Sequence, residues 1–95
     1  MAEALENIKQ DPAIRLVDVR SPEEFRSGHI PGAINLPLDS LSRADALLPD
    51  KQAPVYLYCA SGGRSGMAVG QLSRMGYQDV KNIGGVISYP GQLAR

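Results

Sequence analysis

Residues 55–66 have the sequence VYLYCASGGRSG, in which an apolar run leads directly into a glycine-rich loop. The first four residues are typical of a strand that is buried on both faces of a sheet. Beyond the loop, Ala68, Leu72 and Met75 recur at i, i+4 and i+7, which predicts one apolar helix face, and Gly76 ends that helix. A strand, a loop and a helix in this order predict one unit of a parallel α/β sheet.

The sequence on both sides of this unit continues the alternation of strand and helix. Ser21 and Glu24 form a capping box around Pro22, which predicts a helix that stops at Ser27 and Gly28. Prolines bracket a very short strand within residues 30–37, which a sheet tolerates best near its edge. The other predicted elements are strands at residues 14–19 and 80–83, a helix ahead of Pro12 and a helix over residues 41–48. We therefore predict an α/β fold of three layers, with a mainly parallel central sheet between helices.

The size and charge of the chain limit what it can do. Ninety-five residues suffice for one domain, so we expect residues 1–95 to form a single domain. Ten basic and ten acidic side chains give zero net charge, which favours neither nucleic acid nor an anionic membrane as a partner. No apolar stretch approaches the roughly 20 residues that span a bilayer, and the first residues are acidic where a secretory signal would be basic. A cytoplasmic protein without nucleic-acid or membrane partners is expected.

Cys59 is the residue that most needs an explanation. As the only cysteine, it excludes an internal disulfide, and with a single histidine in the chain it excludes a closed Cys/His zinc site. We expect neither a metal nor a cofactor. A single cysteine is often a small buried apolar residue, but this one lies at the carboxyl end of a strand, where open α/β sheets bind ligands.

The loop after Cys59 indicates nucleophilic chemistry. Glycines at positions 62, 63 and 66 allow the backbone to curl, so that successive N–H groups point inward and form an anion-binding nest at the start of a helix. Those N–H groups and Arg64 favour the thiolate of Cys59 over the thiol, and the thiolate is the nucleophile. Arg64 has two possible partners: a substrate anion, or a carboxylate such as Asp18 or Glu24.

Other polar residues are predicted to have structural roles. Ser65 is expected to be the N-cap of the helix that follows the loop, and the hydroxyls of Tyr56 and Tyr58 are expected to face solvent. Asp18 lies inside an apolar strand and needs a partner, for which Arg20 is the nearest candidate in sequence.

Three motifs in register resemble the rhodanese family. Residues 16–20 (LVDVR) and 28–37 (GHIPGAINLP) resemble its amino-terminal signature, and residues 58–65 (YCASGGRS) resemble its active-site loop. Gly76 and Tyr77, followed by Val80 and the glycines at 84 and 85, resemble its carboxyl-terminal pattern. In the family's pattern, His29 belongs to a structural turn. The resemblance therefore extends through nearly the whole chain.

This resemblance implies a rhodanese-like fold and a single-domain thiosulfate sulfurtransferase. The Cys59 thiolate would attack the outer sulfur of thiosulfate or of a persulfide donor, and the resulting persulfide would pass its sulfur to cyanide, a thiol or a sulfur-accepting protein. The resemblance also assigns the binding of the small anionic donor to the loop N–H groups of Ala60, Ser61, Gly62, Gly63 and Arg64.

Two departures from the family pattern change these expectations. Ala60 stands where relatives often have a basic or polar residue, so one cation for thiosulfate is missing and weak thiosulfate binding is expected. The chain also begins close to the strand at residues 14–19, which implies a sheet trimmed at its N-terminal edge.

Three other functions are alternatives to sulfur transfer. A non-enzymatic sulfur carrier or protein-docking module is the main alternative. A cysteine-dependent phosphatase or arsenate reductase is disfavoured, because only four residues separate Cys59 from Arg64 and a phosphoryl group needs a wider ring. A redox sensor is disfavoured by the lack of a second cysteine in the chain.

Overall fold

Four parallel strands form one sheet in a computed structural model of the protein, which describes residues 1–95. The strands are β1 (Arg15–Asp18), β2 (Ile34–Asn35), β3 (Val55–Cys59) and β4 (Val80–Gly85), and their order across the sheet is β2-β1-β3-β4. All three neighbouring pairs are parallel. The predicted α/β class is confirmed, and the short strand between prolines lies at a sheet edge, as expected.

Four α-helices connect or precede these strands. They are α1 (Ala2–Gln10), α2 (Pro22–Ser27), α3 (Ala44–Leu47) and α4 (Gly63–Arg74). The capping box of Ser21 and Glu24 is present at the start of α2. The single helix predicted over residues 41–48 was wrong, because a 3-10 segment at Leu38–Arg43 precedes the one-turn helix α3.

The apolar spacing that suggested this longer helix is nevertheless used in the core. Leu41, Ala44 and Leu48 are all buried, although the backbone of Ser40 departs from helical angles. Successive tight turns therefore bury the same three side chains that a continuous helix would bury, and burial alone does not distinguish the two backbones.

Alternating side chains of β3 pack into two apolar clusters, one on each face of the sheet. Val55, Leu57 and Cys59 belong to the larger cluster, with residues of α3 and α4. Tyr56 and Tyr58 belong to the smaller cluster, against which residues of α1 pack. Helices thus cover both faces, which confirms the three-layer arrangement.

The expectation that the tyrosine hydroxyls face solvent was wrong. Tyr58 is completely buried, and its hydroxyl accepts a hydrogen bond from the N–H of Ile30 at 3.0 Å. The Tyr56 hydroxyl accepts one from the side-chain amide of Asn7 in α1 at 3.2 Å. Because α1 and the segment around Ile30 cover this face of the sheet, each hydroxyl finds a protein partner instead of water.

Asp18 and Arg20 form a buried ion pair at the end of β1. The closest approach is 2.7 Å, between Nη2 and Oδ2, and the same nitrogen donates to the carbonyl of Gly28 at 2.6 Å. Asn35 of β2 donates to the backbone carbonyls of both residues. The partner expected for Asp18 is therefore confirmed, and the pair joins β1 to the end of α2.

His29 has structural contacts only. Its ring stacks on Phe25 with centroids 3.8 Å apart, and its Nδ1 lies 2.9 Å from the carbonyl of Phe25. Its backbone also pairs with Ala94 in an antiparallel bridge. These contacts agree with the structural turn that the family pattern implies.

Strand β4 extends further than the predicted 80–83, and its last residue packs tightly against the loop. A bulge opposite Leu57 and Tyr58 lets Gly84 and Gly85 pair with Tyr58 and Cys59. A Cβ atom on Gly85 would overlap the carbonyl oxygen of Ala60 and lie 2.6 Å from the Cα of Ser61. Glycine is therefore required where β4 passes the loop.

We expect Gly85→Ala to lower the free energy of unfolding by about 1–3 kcal/mol or more, because backbone atoms cannot yield to the added methyl group. Gly70→Ala, in the middle of α4, is the matched control, since its Cβ would meet only the end of the Arg74 side chain at 3.5 Å. That change should raise the free energy by up to about 1 kcal/mol. Urea unfolding measures both, and equal effects of the two changes would contradict the steric argument.

Candidate active site

Cys59 is the last residue of β3, and the residue is only 1% exposed. The three residues after it form a short loop, and α4 begins at Gly63. Gly62, the N-cap, has φ +106°, a left-handed conformation that favours glycine. This turn brings the N–H of Gly62 to within 3.0 Å of the Cys59 sulfur, to which it donates a hydrogen bond. The sulfur thus lies at the start of α4, as the glycine pattern predicted.

Hydrogen bonds determine the acidity of the Cys59 thiol. Burial of the sulfur raises the pKa, but the hydroxyl of Ser65 and the backbone N–H groups of Ser65, Gly62 and Ser61 oppose it. Together these donors lower the pKa of Cys59 from 9.0 to about 7. A substantial fraction of Cys59 is therefore thiolate at neutral pH, without a neighbouring histidine or lysine to act as a base.

Ser65 lies inside the first turn of α4, so its predicted role as N-cap was wrong. The helix begins earlier than expected, with Gly62 as its N-cap and no side-chain capping bond. The Ser65 side chain is buried, and its hydroxyl lies 3.5 Å from the Cys59 sulfur and 3.1 Å from the carbonyl of Gly62. A third neighbour, the Oδ1 atom of Asn82, is only 2.7 Å away.

Arg64 pairs with Glu24, which is one of the two kinds of partner that the sequence left open. Its guanidinium donates two bonds to the carboxylate, of 2.8 and 3.0 Å. Glu24 also accepts from the backbone N–H of Ser21 in the capping box. The bonds from Arg64 chiefly, and those at the cap, lower the pKa of Glu24 to about 2, against the raising effect of its burial. The start of α4 is thereby tied to the start of α2.

A cavity of about 410 Å³ lies beside this ion pair. Arg64 and Gln71 of α4 line one side of it, and its other lining residues are Val19, Ser21, Pro22, Pro37, Leu38 and Asp39. The five loop residues predicted to bind the donor, residues 60–64, therefore have different contacts in the structure. Gly62 contacts the sulfur directly, Ala60 and Ser61 pack against Gly85, Gly63 opens α4, and the Arg64 side chain turns to Glu24.

Asn82 belongs to the site, although the sequence analysis did not single it out. It lies on β4 at the bulge, and its amide contacts Ser65, Gly62 and Gly84. The only sign in the sequence that Asn82 belongs to the site is that it is a polar residue within a short predicted strand.

Two other features bear on possible ligands. No cluster of three or more His, Cys, Asp or Glu side chains could hold a metal ion. None of the helices is long and apolar enough to cross a membrane.

Comparison with known proteins agrees with this geometry. The family model described as "Rhodanese-like domain" matches residues 1–88. The chain is 45% identical to the thiosulfate sulfurtransferase PspE of Escherichia coli over 71 residues, which are 74% of this chain and 68% of that protein. It is 37% identical to the thiosulfate:glutathione sulfurtransferase of Saccharomyces cerevisiae, over 90% of this chain and 66% of that protein. The chain thus spans about two thirds of the length of each relative.

A solved structure described as a rhodanese with anions from E. coli has the same fold. It superposes with a TM-score of 0.80 at 38% identity, and the match covers 86% of this chain and 98% of the other. The protein is thus of the α/β class, with a parallel sheet and a cysteine at the carboxyl end of one of its two central strands. Within that class, the chain belongs to the rhodanese family.

The ion pair of Glu24 and Arg64 should make stability depend on pH in the acid range. Because the pKa of Glu24 is about 2 in the folded protein and near 4.5 when unfolded, its contribution is fully present above pH 4.5 and is lost between pH 4.5 and 2. We expect Glu24→Gln to be less stable than the wild type at pH 7, with the difference shrinking over this range.

Urea unfolding at several pH values measures this difference. Glu23→Gln is the matched control, because Glu23 is exposed and its one ion pair, to the exposed Arg26, is long, at 3.8 Å, and therefore weak. It should leave the pH profile nearly unchanged. A constant difference between Glu24→Gln and the wild type from pH 7 to 2 would contradict the role given to the ion pair.

Proposed function

We propose that the protein is a sulfurtransferase that moves sulfane sulfur from thiosulfate, or from a persulfide donor, to a thiophilic acceptor through a persulfide on Cys59. The observation that carries this proposal is the position of the Cys59 sulfur. It lies at the start of α4, accepts a hydrogen bond from Gly62 and has a pKa lowered to about 7. The relatives named as thiosulfate sulfurtransferases support the same reaction.

In the first half-reaction, the Cys59 thiolate attacks the outer sulfur of thiosulfate. A bond forms between the two sulfurs, and the S–S bond of thiosulfate breaks, so that its electron pair leaves with sulfite. The outer sulfur remains on Cys59 as a persulfide, which is anionic near neutral pH. The backbone N–H groups at the start of α4 supply fixed positive dipoles for that charge.

In the second half-reaction, the acceptor attacks the outer sulfur and Cys59 leaves as a thiolate. Cyanide would become thiocyanate, and a thiol would become a persulfide. Because hydrogen bonds stabilise the thiolate, Cys59 is a good leaving group as well as a nucleophile. A thiol acceptor agrees with the name of the yeast relative.

The donor is proposed to bind through backbone groups of residues 60–64 rather than through a free side-chain cation. Arg64 is already paired with Glu24, and Ala60 brings no charge. Because Cys59 is only 1% exposed, the group that reaches its sulfur must be small. The anions in the related E. coli rhodanese structure support an anion site in this fold.

A cytoplasmic location stays a prediction from the sequence.

Incubation with thiosulfate should add the mass of one sulfur atom to the intact protein, as measured by mass spectrometry. Cys59→Ser should show no gain, because a serine hydroxyl does not attack thiosulfate sulfur at neutral pH. Subsequent addition of cyanide should return the wild-type mass to its original value. An unmodified wild type, or a gain that persists in Cys59→Ser, would contradict the proposal.

The alternative, a sulfur carrier that loads but does not turn over alone, calls for a separate measurement. For an enzyme, we expect continuous release of sulfite from thiosulfate when glutathione or cyanide is present in excess over the protein. The wild type should release many sulfite molecules per Cys59, and Cys59→Ser none. Release that stops at one sulfite per protein would instead favour the carrier.

A further inference from the structure

The side chain of Asn82 has a fixed orientation beside the active-site loop. Its Oδ1 accepts a hydrogen bond from the backbone N–H of Gly84 at 3.0 Å, and its Nδ2 donates to the carbonyl of Gly62 at 3.0 Å. An N–H group can only donate and a carbonyl can only accept. The amide therefore cannot be rotated by 180° without losing both bonds, and Oδ1 must be the atom that faces Ser65.

This orientation decides where the proton of the Ser65 hydroxyl lies. Oδ1 of Asn82 is 2.7 Å from the Ser65 oxygen, and two oxygens this close need a proton between them. An amide oxygen carries no proton, so Ser65 must donate. The hydroxyl has only one proton, and the Cys59 sulfur, at 3.5 Å, is a more distant acceptor for it.

We propose that Asn82 is a positioning residue that draws the hydroxyl proton of Ser65 away from the Cys59 sulfur and so limits how readily that sulfur becomes the nucleophile. In the thiol form, the proton points to Asn82 and the Ser65 oxygen presents a lone pair to the sulfur. When the sulfur ionises, the hydroxyl must turn towards it and give up its short bond to Asn82. This proposal rests on the proposed function only in taking Cys59 as the reacting group.

Removal of the amide oxygen should therefore make the thiol more acidic. In Asn82→Ala, the Ser65 proton has two remaining acceptors, the neutral carbonyl of Gly62 and the sulfur. Hydrogen bonds to charged acceptors are roughly twice as strong as those between neutral groups, so the Ser65 hydroxyl should donate to the thiolate and not to the carbonyl. Ionisation in this variant no longer costs the short bond from Ser65 to Asn82, and a hydrogen bond of that kind corresponds to a fall of roughly one pH unit in the pKa of Cys59.

The charged groups around Cys59 are the same in the wild type and in Asn82→Ala. Arg64 of α4 is paired with Glu24 of α2, and Asp18 is paired with Arg20 at the end of β1. Lys81, next to Asn82 on β4, lies over the ring of Tyr56 on the opposite face of the sheet. A difference in thiol acidity between the two proteins therefore reports on Ser65 and Asn82.

The test is the pH dependence of Cys59 alkylation by iodoacetamide, which needs no sulfur donor. We expect the midpoint of Asn82→Ala to lie about one unit below that of the wild type. At pH 5, well below both midpoints, the thiolate fraction should rise about tenfold and, since a more acidic thiolate is less nucleophilic, the rate about threefold. In the Ser65→Ala background, which has no hydroxyl proton to redirect, Asn82→Ala should not shift the midpoint.

Asn82→Asp distinguishes proton competition from simple loosening of the loop. Like Asn82→Ala, it loses the donor to Gly62, but it keeps an oxygen that accepts from Ser65 and adds a negative charge, so it should raise the midpoint. Asn7→Ala, which removes a side-chain hydrogen bond from Tyr56, is the matched control and should leave the midpoint unchanged. Circular dichroism confirms that each variant is folded.

Each outcome bears on the proposal. A lower midpoint that requires Ser65, with a higher one in Asn82→Asp, supports it. An unchanged or higher midpoint in Asn82→Ala, or a fall that persists with Ser65→Ala, overturns it. Failure of the sulfurtransferase proposal would be recognised separately, by the lack of a mass gain with thiosulfate.

Discussion

The parallel pairing of β3 between β1 and β4 is the constraint on which the rest of the structure depends. Because all the strands run in one direction, their carboxyl ends meet at the same edge of the sheet, and Cys59 is the last residue of the central one. Strand β4 then passes so close to the loop that only glycine fits at position 85. The sheet thereby sets the path of the loop, and the loop sets the surroundings of the sulfur.

Charge in this protein is balanced locally, so the anion binding proposed for the active-site loop does not depend on the net charge of the chain. Asp18 pairs with Arg20, and Glu24 pairs with Arg64, so the strongest charges near the site neutralise each other. What remains at the sulfur is a set of oriented backbone N–H dipoles at the start of α4. Fixed dipoles stabilise an anion without a mobile side chain, because they are already oriented before the anion arrives.

Local signals were sufficient to predict most of the fold. The capping box at Ser21 and the edge strand between prolines depend on neighbours within a few residues, and both are present. Prediction was less accurate at residues 38–47, because a continuous helix and a series of tight turns bury the same side chains. It was also less accurate at the end of β4, where pairing with the neighbouring strand, and not the local composition, decides where the strand stops. Strand β4 continues through Gly84 and Gly85 because Tyr58 and Cys59 lie opposite them.

The sequence by itself determined the α/β class, the order of the elements and the position of Cys59 ahead of a glycine-rich turn, since these depend on residue spacing and on backbone freedom. Only the tertiary structure decided that Arg64 pairs with Glu24, 40 positions away, and that Ser65 contacts Asn82, 17 positions away. It likewise decided that Tyr58 is buried against Ile30. A hydrogen bond needs its donor and acceptor within about 3 Å of each other, and spacing along the chain does not show which distant residues the packed sheet brings that close.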